Sequence, residues 1–151
     1  MKKQKLYLET SVWNFYYADD APEKKEATIR FFKQLEKGEY KIFISRIVFD
    51  EIERASVATQ KKLFSLISSY SPEVLELDAE ADRLANGYIE NGVLTKNCLD
   101  DARHAAIATV NKMDNLLSWN MKHLANFSRM SKINEINRKC GYKKILILIT
   151  P

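Results

Sequence analysis

Two cysteines, two histidines, three prolines and four glycines are all that 151 residues hold of the types that mark specialised chains. Cys98 and Cys140 have neither a paired framework nor ligand spacing, which excludes a disulfide scaffold and a Cys/His zinc module. Free thiols in a reducing cytoplasm are the expectation. So little Gly and Pro leaves no linker, and the length suits one domain over residues 1–151. Long apolar runs are missing too. The run behind the basic start Met-Lys-Lys-Gln-Lys stops at Glu9, too soon for a signal-peptide core or a membrane span. Neither an internal repeat nor a low-complexity tract is visible.

What remains is 46% hydrophobic and 29% charged, the balance of a globular protein with a core. The net charge of +4 is unevenly spread: residues 112–151 hold eight Lys/Arg against two Asp/Glu, a balance of +6, so residues 1–111 carry −2. A basic end beside an acidic body attracts a polyanion or simply keeps the surface solvated, and charge alone favours the second.

Periodicity and punctuation predict strands at 4–9, 40–44, 73–77, 115–118 and 144–149. They predict helices at 10–17, from Pro22 to about Lys37, at 46–55, 58–69, 79–91 and 99–113, with two short helices filling 121–139. Thr10 or Ser11, Ser45 and Asp78 are the expected caps, and Gly38, Gly92 and Gly141 the expected stops. Strands alternating with helices predict an α/β fold of three layers, α/β/α, around a central, mostly parallel sheet.

Against this pattern three acids are out of place. Glu9 ends the first strand, where an isolated charge is costly to desolvate. In "SRIVFDEIERA" the apolar face holds Ile47, Val48, Ile52 and Ala55, and Glu51 lies in its middle, while Asp50, Glu53 and Arg54 fall on the outer side. In "LDDARHAAIATV" Asp101 shares a stripe with Ala105 and Ala108, whereas Asp100 lines up with His104 and Ile107. An N-terminal acid favouring the helix dipole is the bland account of Asp101. In a parallel sheet, sites form outside the carboxyl ends of the strands. There Glu9, Glu51, Asp101 and Asn120, which follows the strand "NLLS", would meet. Two carboxylates 4 Å apart repel by roughly 4 kcal/mol at an effective dielectric of 20, and a divalent cation removes that difficulty. Oxygen ligands favour Mg²⁺ or Mn²⁺ over Zn²⁺.

The set "LETSVWN", "ISRIVFDEI", "DDARHAAIA" and "LLSWNMKHLAN", in this order along nearly the whole chain, resembles the PIN domain family and, within it, the VapC-type proteins of bacterial toxin–antitoxin pairs. The resemblance implies a metal-dependent nuclease, commonly acting on RNA, with an acidic cluster holding Mg²⁺ or Mn²⁺. By position that cluster is Glu9, Glu51 and Asp101, with Asn120 in the fourth place and Thr10 or Ser11 assisting at the first. Two departures stand out. The first position is usually Asp, and Glu9 shifts its carboxylate by roughly 1.5 Å, one bond length. The fourth is often acidic, and Asn120 brings an uncharged oxygen.

The expected function is therefore a Mg²⁺- or Mn²⁺-dependent endoribonuclease, the toxin of a toxin–antitoxin pair, in the cytoplasm. Its partners would be an RNA substrate, an antitoxin protein and a second copy in a homodimer. The alternative is a catalytically weakened PIN-fold module that binds RNA or protein. His104 and His123 read as packing groups before proton carriers. Arg103, Lys122 and Arg129 read as surface charge or phosphate contacts. Trp13, Phe15, Tyr16 and Tyr17 suit a core or partner groove better than base stacking. Phe31, Phe32 and Leu35 exceed the expected core requirement and suggest a dimer face or a seat for an antitoxin segment.

Overall fold

The structure, a computed structural model, describes residues 2–148. Five short strands form one sheet: β1 (Gln4–Leu8), β2 (Tyr40–Ser45), β3 (Glu73–Leu75), β4 (Asn115–Leu117) and β5 (Leu146–Leu148). Their order is β3-β2-β1-β4-β5 and every pair is parallel. Seven α-helices connect them: α1 (Thr10–Asn14), α2 (Pro22–Leu35), α3 (Arg46–Ile52), α4 (Val57–Tyr70), α5 (Ala79–Glu90), α6 (Leu99–Val110) and α7 (Phe127–Lys139). Among the described residues no helix is long and apolar enough to cross a membrane.

Side chains alternate across each strand, so the sheet feeds two cores. Leu6, Leu8, Ile44 and Leu117 join Val12, Trp13, Phe32, Val48 and Leu63 on the side of α1, α2 and α4. Tyr7, Phe43, Leu116 and Ile147 join residues of α5, α6 and α7 on the other. This is the expected α/β/α sandwich. Helix α6 is wedged deepest, and Ala102, Ala105, Ala106 and Ala108 have no exposed surface. Only a side chain of one carbon allows so close an approach of helix, sheet and α5.

The chain runs outward from β1 through β2 to β3, then returns to pair β4 on the opposite side of β1. That reversal opens a crevice at the carboxyl ends of β1 and β4, where parallel sheets place ligands. The register sets Leu8 opposite Leu117, and the Glu9 N–H donates to the Leu117 carbonyl at 3.0 Å. Glu9 and Ser118 thus leave the sheet side by side.

Several boundaries differ from the sequence reading. The helix expected at 10–17 is α1 followed by a 3₁₀ turn at Phe15–Tyr17. Helix α3 ends at Ile52, because the next turns lead straight to the Ser56 cap of α4. Residues 121–126 are turns and not a first short helix. The Asn120 carbonyl collects the N–H groups of Leu124 and Ala125 at 3.0 and 2.8 Å, and Asn126 then caps the single helix α7. Strand β3 stops at Leu75 and α6 at Val110. Of the strand expected at 144–149, β5 covers Leu146–Leu148, and residue 149 lies outside the described residues. Gly38 and Gly92 do adopt left-handed backbone (φ 74° and 72°) where α2 and α5 stop.

Phe31, Phe32 and Leu35 are core. They are 3%, 0% and 8% exposed and pack against the sheet and α4, not against a free surface. Trp13 is likewise fully buried. Helix α2 covers one face of the sheet together with α1 and α4, and Phe31, Phe32 and Leu35 fill the space between them.

Candidate functional site

Glu9, Thr10, Ser11, Glu51, Asp101 and Asn120 line one cavity of about 440 Å³, with Phe15, Leu63 and Trp119 on its apolar wall. Every residue that the sequence placed in the acidic cluster is present there. Each arrives by a different route: Glu9 at the end of β1, Glu51 from the last turn of α3, Asp101 from the first turn of α6, and Asn120 from the loop after β4.

Glu9 occupies the position before α1 but caps nothing. Only 4% exposed, it accepts through Oε1 from the hydroxyls of Ser11 at 2.5 Å and Ser118 at 2.7 Å. The Ser11 oxygen in turn accepts the Trp119 N–H at 2.8 Å, and the Ser118 oxygen accepts the Asn120 N–H at 2.9 Å. Hydroxyl pairs thus knit the two strand ends together around a carboxylate that has no cationic partner among the described residues.

Glu51 accepts from Thr10 Oγ1 at 2.6 Å, and its Oε1 lies 2.5 Å from Nε2 of His104. Burial raises its carboxyl, but the hydrogen bond and charge of His104, with Thr10 adding to them, carry it below the usual range. Burial pulls the His104 imidazole down, while its hydrogen bond to Glu51 and the charge of Glu51, Glu9 and Asp101 raise it above the ordinary value. Both directions follow from the direct hydrogen bond between the two groups.

Asp101 accepts from Asn120 Nδ2 at 3.3 Å. Burial first, and then the charge of Glu9, push its carboxyl up from 3.8 to about 6. The Asn120 amide oxygen is already engaged, since it accepts the His123 N–H at 3.0 Å. Asn120 therefore presents a donor to the cluster. One atom each from Glu9, Glu51 and His104 lie within 4.8 Å of one another, a group that does not include Asp101; with Nε2 of His104 taken by Glu51, the oxygens of Glu9 and Glu51 are what this group offers a cation. Crowded carboxylates, Glu9 buried, Glu51 and Asp101 partly so, and Asp101 raised to about 6, fit a divalent ion.

The sequence reading missed the buried partners. His104, set down as a packing group, has no exposed surface and bonds to the cluster. Ser45 caps α3 as expected and also meets the Tyr7 hydroxyl at 2.7 Å, while Ser118, at the strand end, donates to Glu9. Among the remaining candidates, Arg103 faces Asp82 and Asp100 at 3.8 and 3.9 Å, Lys122 is exposed, and His123 Nδ1 lies 3.5 Å from Cys98 Sγ. Arg54 is exposed, as expected, and also borders the cavity, holding Asp100 at 2.7 Å.

The structure is a five-stranded parallel sheet with helices on both faces and an acidic cleft at its switch point. No protein-family model matches the chain, and no curated protein sequence does. Solved structures do. VapBC2 from Rickettsia felis, bound to a DNA fragment from their promoter, aligns with a TM-score of 0.62 at 17% identity, over 98% of this chain and 100% of that one. VapC20 from Mycobacterium tuberculosis, a sarcin–ricin loop cleaving toxin, aligns with a TM-score of 0.60 at 14% identity, over 93% and 98%. The chain has a VapC-like PIN fold.

Proposed function

We propose that this protein is a metal-dependent endoribonuclease of VapC type, the toxin of a toxin–antitoxin pair. The observation that carries the reading is the meeting of Glu9, Glu51 and Asp101 in one cleft at the switch point of a fold shared with VapC structures. The three carboxylates would hold Mg²⁺ or Mn²⁺. When bound, such a cation lowers the pKa of a coordinated water and stabilises charge on a phosphate.

The protein's own groups prepare that chemistry. Ser11 and Ser118 fix Glu9, Thr10 and His104 fix Glu51, and Asn120 donates to Asp101. Asp101 holds a proton below about pH 6 and frees its carboxylate above it. Phe15 and Trp119, 5.7 Å apart between ring centroids, offer an apolar wall beside the acids for a nucleotide base. RNA as substrate, and an antitoxin as protein partner, belong to this reading.

Cleavage of an RNA panel in Mn²⁺ or Mg²⁺, abolished by a chelator and by Asp101→Asn, is the expected result. Intact RNA in both metals would overturn it. A second reading, RNA or protein binding without cleavage, draws on the longer Glu9 side chain and on the Asn120 oxygen already taken by His123. Calorimetry separates the two: millimolar or weaker binding of both cations beside intact RNA binding selects the second.

A further inference from the structure

We infer that His104 is a positioning residue for the metal carboxylate Glu51, and that Tyr7 and Ser45, in the sheet, position His104. The inference rests on reading the cleft as a metal centre.

His104 sits on α6 beneath the cleft with no exposed surface, and both its ring nitrogens are engaged. Nε2 lies 2.5 Å from Glu51 Oε1, and Nδ1 lies 2.6 Å from the Tyr7 hydroxyl. The Tyr7 hydroxyl lies 2.7 Å from Ser45 Oγ, which accepts the backbone N–H of Ile47 at 3.2 Å. The Tyr7 ring meets the imidazole edge-on, with centroids 5.6 Å apart. A continuous polar chain thus runs from backbone at the β2–α3 junction, through the middle of the sheet, to a carboxylate at the mouth. Tyr7, Ser45 and His104 are each 0% exposed.

A buried imidazole needs partners for both nitrogens, and leaving one unpaired costs roughly 1–3 kcal/mol. Turning the ring would forfeit two buried bonds at once, so its orientation is fixed. Packing explains the Tyr7 contact but does not require the one to Glu51, whose side chain is 23% exposed. Thr10 and His104 both hold Oε1, and Oε2 has no hydrogen-bond partner among the described residues. One oxygen is anchored and the other is free to take a cation. Groups that orient metal ligands in this way typically contribute 10–100-fold to metal affinity.

Two amide substitutions separate positioning from packing. In His104→Gln the amide nitrogen reaches the place of Nε2 and still donates to Glu51. In His104→Asn it reaches only the place of Nδ1 and keeps Tyr7 alone. Mn²⁺ calorimetry on folded, metal-free protein should show binding weakened roughly tenfold or more in His104→Asn, which loses the Glu51 bond, and only several-fold in His104→Gln, which loses the Tyr7 bond alone. Tyr7→Phe, which removes one oxygen from the chain, should weaken Mn²⁺ binding several-fold while circular dichroism stays unchanged. Equal affinities in the Gln and Asn variants would overturn the inference. If His104→Asn does not fold, wild-type Mn²⁺ affinity in Tyr7→Phe overturns it instead. Wild-type protein that binds no Mn²⁺ would remove the metal-centre reading and this inference together, whereas wild-type binding with indifferent variants removes this inference alone.

Discussion

The hydroxyl of Ser118 donates to Glu9 Oε1 across 2.7 Å, although 109 residues separate them in the chain. The same oxygen accepts the N–H of Asn120. One small side chain therefore joins the end of β1 to the loop that carries the fourth cluster position. Ser118→Ala removes a donor from a buried carboxylate and an acceptor from a backbone N–H. The expected cost is about 1–3 kcal/mol in denaturant melts of metal-free protein, with a weaker cation site. A variant as stable as wild type would show that water replaces the hydroxyl at no cost.

Glu9 itself should behave as a ligand and not as a cap. Glu9→Gln keeps an oxygen for Ser11 and Ser118 but loses the charge. It should lose cleavage activity while the metal-free melting temperature stays level or rises slightly, since one repulsive charge is gone. Glu9→Asp should keep activity and gain it in Mg²⁺, the shorter chain restoring the spacing usual in the family it resembles. The pair of cleavage rates and melting curves decides; a Gln variant that melts several degrees lower yet cleaves normally contradicts the assignment.

Asp101 gives a pH signature. Its folded carboxyl titrates near 6 against 3.8 when free. A raised acid is neutral in both states below the lower value. Between about pH 4 and 6 the unfolded chain ionises first, so folding loses free energy over that window and stays lower above it. Two pKa units correspond to roughly 3 kcal/mol, an upper figure for a group near the surface. Asp101→Asn should therefore out-melt metal-free wild type at pH 7 and lose that advantage by pH 4. Parallel melting curves for the two proteins across this range would refute the burial argument.

Phe32 tests the reassignment of α2. As a core residue packed on Trp13, Tyr16 and Tyr70, it should cost about 3–5 kcal/mol on Phe32→Ala in the isolated protein. A side chain kept for a partner would cost almost nothing there. Urea denaturation of the isolated protein distinguishes them.

Much of this architecture was legible because it rests on local rules. Alternating strand and helix patterns yielded the parallel sheet. Acids at apolar positions marked Glu9, Glu51 and Asp101, and the residues that follow a strand marked Asn120. What escaped depends on contacts between distant segments. The stripe Asp100–His104–Ile107 was visible, but nothing in a helix repeat says that the tyrosine of β1 waits under His104. The signal was the imidazole itself, a two-ended polar group on an alanine-rich helix destined for burial, which had to find two partners. The break at 121–126 was hidden for another reason. No Gly or Pro marks it, and the helix is held off by the Asn120 carbonyl and the Asn126 cap.

The central place of β1 has a consequence for synthesis. Strand β1 waits long for its second neighbour, which begins only at Asn115. Closing so long a loop is slow, and sheets built from such distant pairings fold late. A nascent chain that has reached the middle of α6 already carries Glu9, Glu51 and Asp101 but has neither Ser118 nor the wall formed by Trp119. The acids exist well before the cleft does, so the mouth of this site is completed only once Asn120 has been translated, and a stalled fragment holds its ingredients without their arrangement.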